Sequence, residues 1–113
     1  MVKLKNEIPQ KIRSQVVDYL DLLRKNNIVI NEAYLFGSYA KGNEREFSDI
    51  DLCIISDSLP SNSFEALIFL GRFTLQFEKF YAIEAHGFRS DCPDDTLSGL
   101  FINEVKTTGI RLI

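Results

Sequence analysis

The run DIDLCIIS, residues 49–56, constrains this chain more than any other stretch. Its Ile, Leu and Cys content suits a strand with little exposure, yet it carries carboxylates at Asp49 and Asp51. Side chains alternate along a strand, so Asp49, Asp51 and Cys53 share one face while Ile50, Leu52 and Ile54 share the other. The second face is core. The first must be solvated or hold a cation, because bare carboxylates this close repel and are costly to bury.

The flanking sequence places the strand in an α/β pattern. Ile12, Val16, Leu20 and Leu23 recur at helical spacing after Pro9, which predicts a helix from about Pro9 to Lys25, stopped by Asn26-Asn27. IVINEAYLF, rich in β-branched and aromatic residues, predicts a strand over Glu32 to Phe36. SYAKG permits one or two helical turns, and NEREFS is a polar loop. A helix over Phe64 to Lys79 follows, capped by Ser61 or Ser63. YAIEAHGF predicts a third strand, with Ile83 and Ala85 on one face and Ala82, Glu84 and His86 on the other. Thr96 caps a last helix through Lys106 with Leu97, Phe101 and Val105 inward, and IRLI offers a short final strand. Alternating helices and strands predict a small mixed sheet flanked by helices, whose strand order the pattern leaves open. The length, 113 residues, suits one domain over residues 1–113.

Composition narrows the class. With 45% hydrophobic and 26% charged residues the chain reads as an ordinary soluble protein. A formal charge of -3 argues against nucleic acid gripped mainly by charge. No apolar run approaches the ~20 residues of a membrane span, and the charged, polar opening does not resemble a signal peptide. Cys53 and Cys92 lack a metal-type or redox spacing and read as a buried and a loop thiol in a reducing cytoplasm.

The chemistry gathers around residues 37–51. A hard divalent ion such as Mg²⁺ prefers carboxylates, water and phosphate, so the shared face of Asp49 and Asp51 suits one. If the third strand lies beside theirs, Glu84 makes a three-carboxylate cluster, which suits two metals ~3.5–4 Å apart for an in-line phosphoryl displacement. Gly37-Ser38 ends one strand and starts a helical turn. Glycine lets backbone approach a phosphate, helix-start N–H groups attract anions, and the Ser38 hydroxyl can donate. Lys41 and Arg45 can neutralise phosphate charge, or stand as solvated loop charges. His86 can orient an acceptor or a base, or be structural. Ser48 can bond near the carboxylates or simply begin the strand, and Asp91, Asp94 and Asp95 read as a solvated loop.

GSYAKGNEREFSDID, with ten residues between Ser38 and Asp49, resembles the signature GSx10DxD of the minimal nucleotidyltransferases (MNT) of the DNA polymerase beta superfamily. The order of elements agrees over nearly the whole chain. The resemblance implies that Gly37 and Ser38 hold the triphosphate of ATP or another NTP. Asp49 and Asp51 would bind the divalent metals. Glu84, where many relatives carry aspartate, would be the third carboxylate, helping to bind the catalytic metal and activating the acceptor hydroxyl. The family transfers a nucleoside monophosphate, often AMP, and releases pyrophosphate. Stand-alone members resemble antitoxins paired with HEPN toxins, and some adenylylate a tyrosine of the toxin.

Two features bear on partners. Phe69, Phe73 and Phe77 lie nearly opposite Phe64, Leu67, Ile68, Gly71 and Leu75 on the long helix. They are either a surface for a partner or a second copy, or a second internal layer. Beyond the nucleotide site only the last helix and a short tail remain, little material for a second pocket, so a partner protein is expected to bring the acceptor hydroxyl. The reading from another class is a binding module that neutralises its partner by occlusion without catalysis.

Overall fold

The computed structural model describes residues 8–41 and 49–113. Helix α1, Gln10–Lys25, begins after Pro9 and buries Val16, Tyr19, Leu20 and Leu23, one stripe at helical spacing. Arg24 and Lys25 in its last turn suit the negative end of the helix dipole. The chain reverses at Asn27, whose φ of 65° lies in the left-handed region that asparagine tolerates.

Strands β1 (Glu32–Phe36), β2 (Ile50–Ile55), β3 (Ile83–Phe88) and β4 (Ile110–Arg111) form one sheet in the order β3-β2-β1-β4. β1 is antiparallel to both β2 and β4, whereas β2 and β3 are parallel. A parallel pair needs a crossover, supplied here by α3, Ser63–Thr74. The single turn α2, Ser38–Lys41, follows β1, and α4, Leu97–Thr108, precedes β4. The mixed sheet flanked by helices, expected from the alternating pattern, is the observed architecture.

The two faces of the sheet differ. Ile50, Leu52, Ile54, Leu35, Ile83 and Ala85 join α1 and α3 in the larger core. The Tyr19 hydroxyl crosses that core and donates to the Leu70 carbonyl at 2.9 Å, tying α1 to α3. On the other face Tyr34, Cys53, Ile55 and Phe88 pack with Ile102 and Val105 of α4. Registers place Glu32, Ile55 and Phe88 in one row across β1, β2 and β3, then Tyr34, Cys53 and His86, then Phe36, Asp51 and Glu84. The first two rows meet α4, while Glu84 in the third is exposed.

Four sequence expectations need correction. The cap of α3 is Asn62, whose Oδ1 accepts from the Phe64 and Glu65 amides at 2.9 and 3.0 Å, rather than Ser61 or Ser63. The helix ends at Thr74 rather than near Lys79. A 3-10 turn at Glu78–Phe80 then drops Phe80 into the core edge-on to Tyr19, with centroids 5.5 Å apart. The inward face of α3 also differs. Ala66, Leu70 and Thr74 point in, and Phe69 and Phe73 are half-buried against the same core. Gly87 decides this: a Cβ there would lie 2.8 Å from Leu70 Cδ1 and 3.3 Å from Ala66 Cβ, so α3 rests on bare backbone. Phe69 and Phe73 therefore form no free surface, although Phe77 past the helix end is exposed; the outward apolar side chains are Phe64, Ile68 and Leu75. On α4 Ile102 and Val105 are buried and Phe101 packs partly buried beside them, while Leu97 is exposed instead of buried.

Candidate active site

The site lies at the end of the sheet where β1 finishes and β2 and β3 begin. Phe36 ends β1 opposite Asp51, so the turn that follows is delivered to that carboxylate. Gly37 has φ of 74°, a conformation that side chains with a Cβ adopt reluctantly. A Cβ there would run into the Asp51 carboxylate, lying 3.2 Å from its Cγ. Glycine is thus required twice, for the backbone angle and for the approach to Asp51. Ser38, half-buried, opens α2 directly after it.

The parallel register sets Asp51 beside Glu84. Glu84 is exposed and His86 half-buried on the same face, two residues apart, and Glu84 Oε1 stands 3.0 Å from His86 Nε2. One ligand atom each from Asp51, Glu84 and His86 lies within 4.8 Å of the others. Burial holds the Asp51 carboxyl above the usual carboxylate range, and the charge of Glu84 pushes the same way; His86 opposes the rise and Asp49 adds to it. A cation placed among these groups would relieve that repulsion, so the donor set fits a divalent ion.

Asp49 precedes β2, is exposed, and is not among the three converging side chains. Its influence on Asp51 is electrostatic. Arg45 and Ser48 lie outside the described residues, as does the side chain of Lys41. Asp91, Asp94 and Asp95 are exposed, as the sequence predicts.

His86 is the member of the cluster to which sequence reasoning gave no ligand role. Its signal was present in the two-residue step from Glu84. Its ring packs against the Phe36–Phe101 pair, with centroids 5.7 and 5.9 Å away. Beyond it an open cleft of about 330 Å³ runs between the starts of α3 and α4, lined by Phe64, Leu67, His86, Phe88, Leu97 and Phe101. The expectation of too little material for a second pocket is therefore corrected. Two helix starts and one sheet face suffice to wall it. A larger groove, about 380 Å³, lies against α1 and the chain's C-terminal residues, lined by Val16, Leu20 and Ile110 and by none of the three converging side chains.

The chain's sequence matches the family described as nucleotidyltransferase domain over residues 5–87. No curated protein matches it in sequence. A solved structure from Sulfolobus solfataricus, assigned as a nucleotidyltransferase, superposes with a TM-score of 0.57 at 17% identity, covering 99% of this chain and 86% of that one. A toxin-antitoxin solved with AMP-PNP gives a TM-score of 0.58 at 19% identity, over 93% of this chain and 73% of that one. At such identities the likeness is one of fold.

Proposed function

This chain belongs to the nucleotidyltransferase domain family, and from that premise we propose that it is a single-domain, metal-dependent enzyme. It transfers a nucleoside monophosphate, AMP from ATP, to a hydroxyl on a partner protein. The observation that carries the reading is the row that sets Asp51 against Glu84 with the bare backbone of Gly37 over Asp51.

Each residue has a task in this scheme. Gly37 leaves space where a triphosphate oxygen approaches the backbone, and the Ser38 hydroxyl donates to it. Lys41 and Arg45 neutralise phosphate charge. Asp49, Asp51 and Glu84 hold the divalent cations, with Mg²⁺ as the ion that accompanies the nucleotide. A divalent ion held there would supply positive charge against the negative charge that develops as pyrophosphate leaves. The acceptor oxygen attacks the α-phosphorus, the bond to the bridging oxygen breaks, and pyrophosphate departs. Glu84, the most exposed of the three converging side chains, receives the acceptor proton.

The acceptor reading draws on shape. The cleft beside His86 is apolar, aromatic and open, which suits a tyrosine ring presented by another protein with its hydroxyl toward Glu84. Phe64 and Leu97 at its mouth are 66% and 86% exposed, side chains that a docked protein would cover. The toxin-antitoxin neighbour supports a toxin as that protein, and the resemblance to minimal nucleotidyltransferases supports one of HEPN type. A cytoplasmic location is part of this reading; no helix among the described residues is long and apolar enough to cross a membrane.

The test is incubation with Mg²⁺, labelled NTPs and a protein encoded beside this chain, followed by mass spectrometry. AMP on a tyrosine of that protein, absent with Asp51→Asn, supports the reading. Exclusive labelling of a small molecule overturns the protein acceptor. The exposed apolar residues also favour a second reading, neutralisation by occlusion alone; in that case Asp51→Asn inhibits the partner as well as the wild type does.

A further inference from the structure

The geometry points to His86 as a nitrogen ligand of the resident metal, which makes the site selective for a first-row transition ion such as Mn²⁺ over Mg²⁺; this rests on the reading of the site as a metal-dependent centre. Two observations support it. Glu84 Oε1 and His86 Nε2 stand 3.0 Å apart, in direct ion-pair contact with each other. Adjacent ligands of an octahedral ion with ~2.1 Å bonds are separated by about 3.0 Å, so the pair is spaced as one edge of a coordination sphere. Asp51 supplies a third donor within 4.8 Å of both, on the neighbouring strand.

The imidazole is also positioned before any ion arrives. Phe36 and Phe101, themselves 5.3 Å apart, tilt against the ring at 57° and 53°. Beneath it the backbone is fixed by the parallel ladder opposite Cys53. These contacts lower the rotamer freedom left to be lost on ligation. Mg²⁺ takes oxygen donors and keeps its waters, whereas an imidazole nitrogen beside two carboxylates suits Mn²⁺ and the later divalent ions. The nucleotide's own Mg²⁺ is a separate requirement, met by phosphate and carboxylate oxygens.

His86 is the single histidine of the chain, so a nitrogen signal on a bound metal has one source among the side chains. The experiment uses the full chain freed of any tag, with Mn²⁺ and Mg²⁺ titrated separately by calorimetry without nucleotide. Pulsed electron paramagnetic resonance of the Mn²⁺ form accompanies it. Mn²⁺ is expected to bind at least about tenfold more tightly than Mg²⁺ and to show the ¹⁴N coupling of a directly bound imidazole. His86→Gln should abolish that coupling and weaken Mn²⁺ by roughly 10–100-fold, while Mg²⁺ shifts by less than about threefold. Mn²⁺ bound without ¹⁴N coupling in the wild type overturns the histidine ligand and leaves metal-dependent transfer standing. Binding of both ions unaffected by Asp51→Asn overturns the metal centre itself, and the histidine ligand with it. The wild-type spectrum decides even if the variant fails to fold.

Discussion

At the scale of single residues, Asp51 is held in a costly state. Its proton affinity is raised by burial first and by Glu84 second, so above its folded pKa the ionised form costs stability in the metal-free protein. That cost disappears as pH falls through the folded value toward the ordinary carboxylate value near ~4. We expect Asp51→Asn to raise the metal-free melting temperature at pH 7 by a few degrees, where 1 kcal/mol is worth about 4–8 °C, and the gain to shrink toward pH 4. Transfer should fall by roughly 10³-fold or more. A variant that melts lower at pH 7 would show that Asp51 is stabilising as an ion. Gly37→Ala should cost about 1–2 kcal/mol by denaturant melts, from the positive φ and the displaced Asp51, and reduce transfer with it. Gly37 and Asp51 stood out in the sequence because a glycine turn and a carboxylate in an apolar strand are costly unless something requires them, whereas the exposed Glu84 stood out only as a third carboxylate on a neighbouring strand. His86 was only half legible, since its spacing gave its face but not its distance from Glu84. The converging group holds Asp51 without Asp49, a distinction that strand alternation alone does not make.

At the scale of elements, the sequence pattern located α1, β1 and β2 to within a residue or so, because α1 buries a clear stripe and the two strands are short apolar runs bounded by turns. It misjudged α3, an apolar helix nearly all round, whose inward side is chosen by the bareness of Gly87 on another strand. No local pattern contains that information. A test follows: Phe69→Ser with Phe73→Ser should destabilise the chain by several kcal/mol, as half-buried phenylalanines lost from a core do. Unchanged melting with a smaller particle would return them to an assembly surface. A second element-scale prediction concerns the rear of the α4 face. Glu32 accepts a bond of 2.5 Å from the Tyr34 hydroxyl and lies 3.6 Å from Lys106 and 3.8 Å from Arg111, joining β1 to α4 and β4. Its carboxyl is held below the ordinary range, by the Tyr34 bond first and by the two cations besides. That stabilisation is complete above the unfolded value near ~4.5 and is lost as pH falls through the folded value. Glu32→Gln should therefore cost about 1 kcal/mol in urea melts at pH 7, and the deficit should narrow at acid pH. A deficit independent of pH would assign the effect to shape.

At the scale of the whole molecule, one face of the sheet is closed by α1 and α3, while α4 covers the other only in part, leaving the carboxylate row beside an open apolar cleft. Strand order was invisible in the sequence, and with it the cleft, since both depend on which chain ends meet in space. If the cleft takes a partner's side chain, Phe64→Ser with Leu97→Ser should lower transfer to protein at least about tenfold and leave ATP and metal affinity unchanged. Equal loss of ATP binding would place those residues in the nucleotide site instead.

Cys53 lies in the middle row, opposite Tyr34 and His86, with 0% of its surface exposed, and burial pushes its thiol up to about 12. Cys92 is also free but partly exposed. Only thiolate reacts with an alkylating reagent, so in the closed sheet Cys53 is silent, and each alkylation records one opening beneath the site. The chain thus carries its own clock, with Cys92 as the internal standard. A ligand that binds only the closed form slows the clock by a factor of one plus its concentration over Kd. ATP with a divalent ion should retard labelling of Cys53 and leave Cys92 unaffected. Native labelling of the two thiols at one rate would mean that the floor of the site breathes as freely as its surface loops.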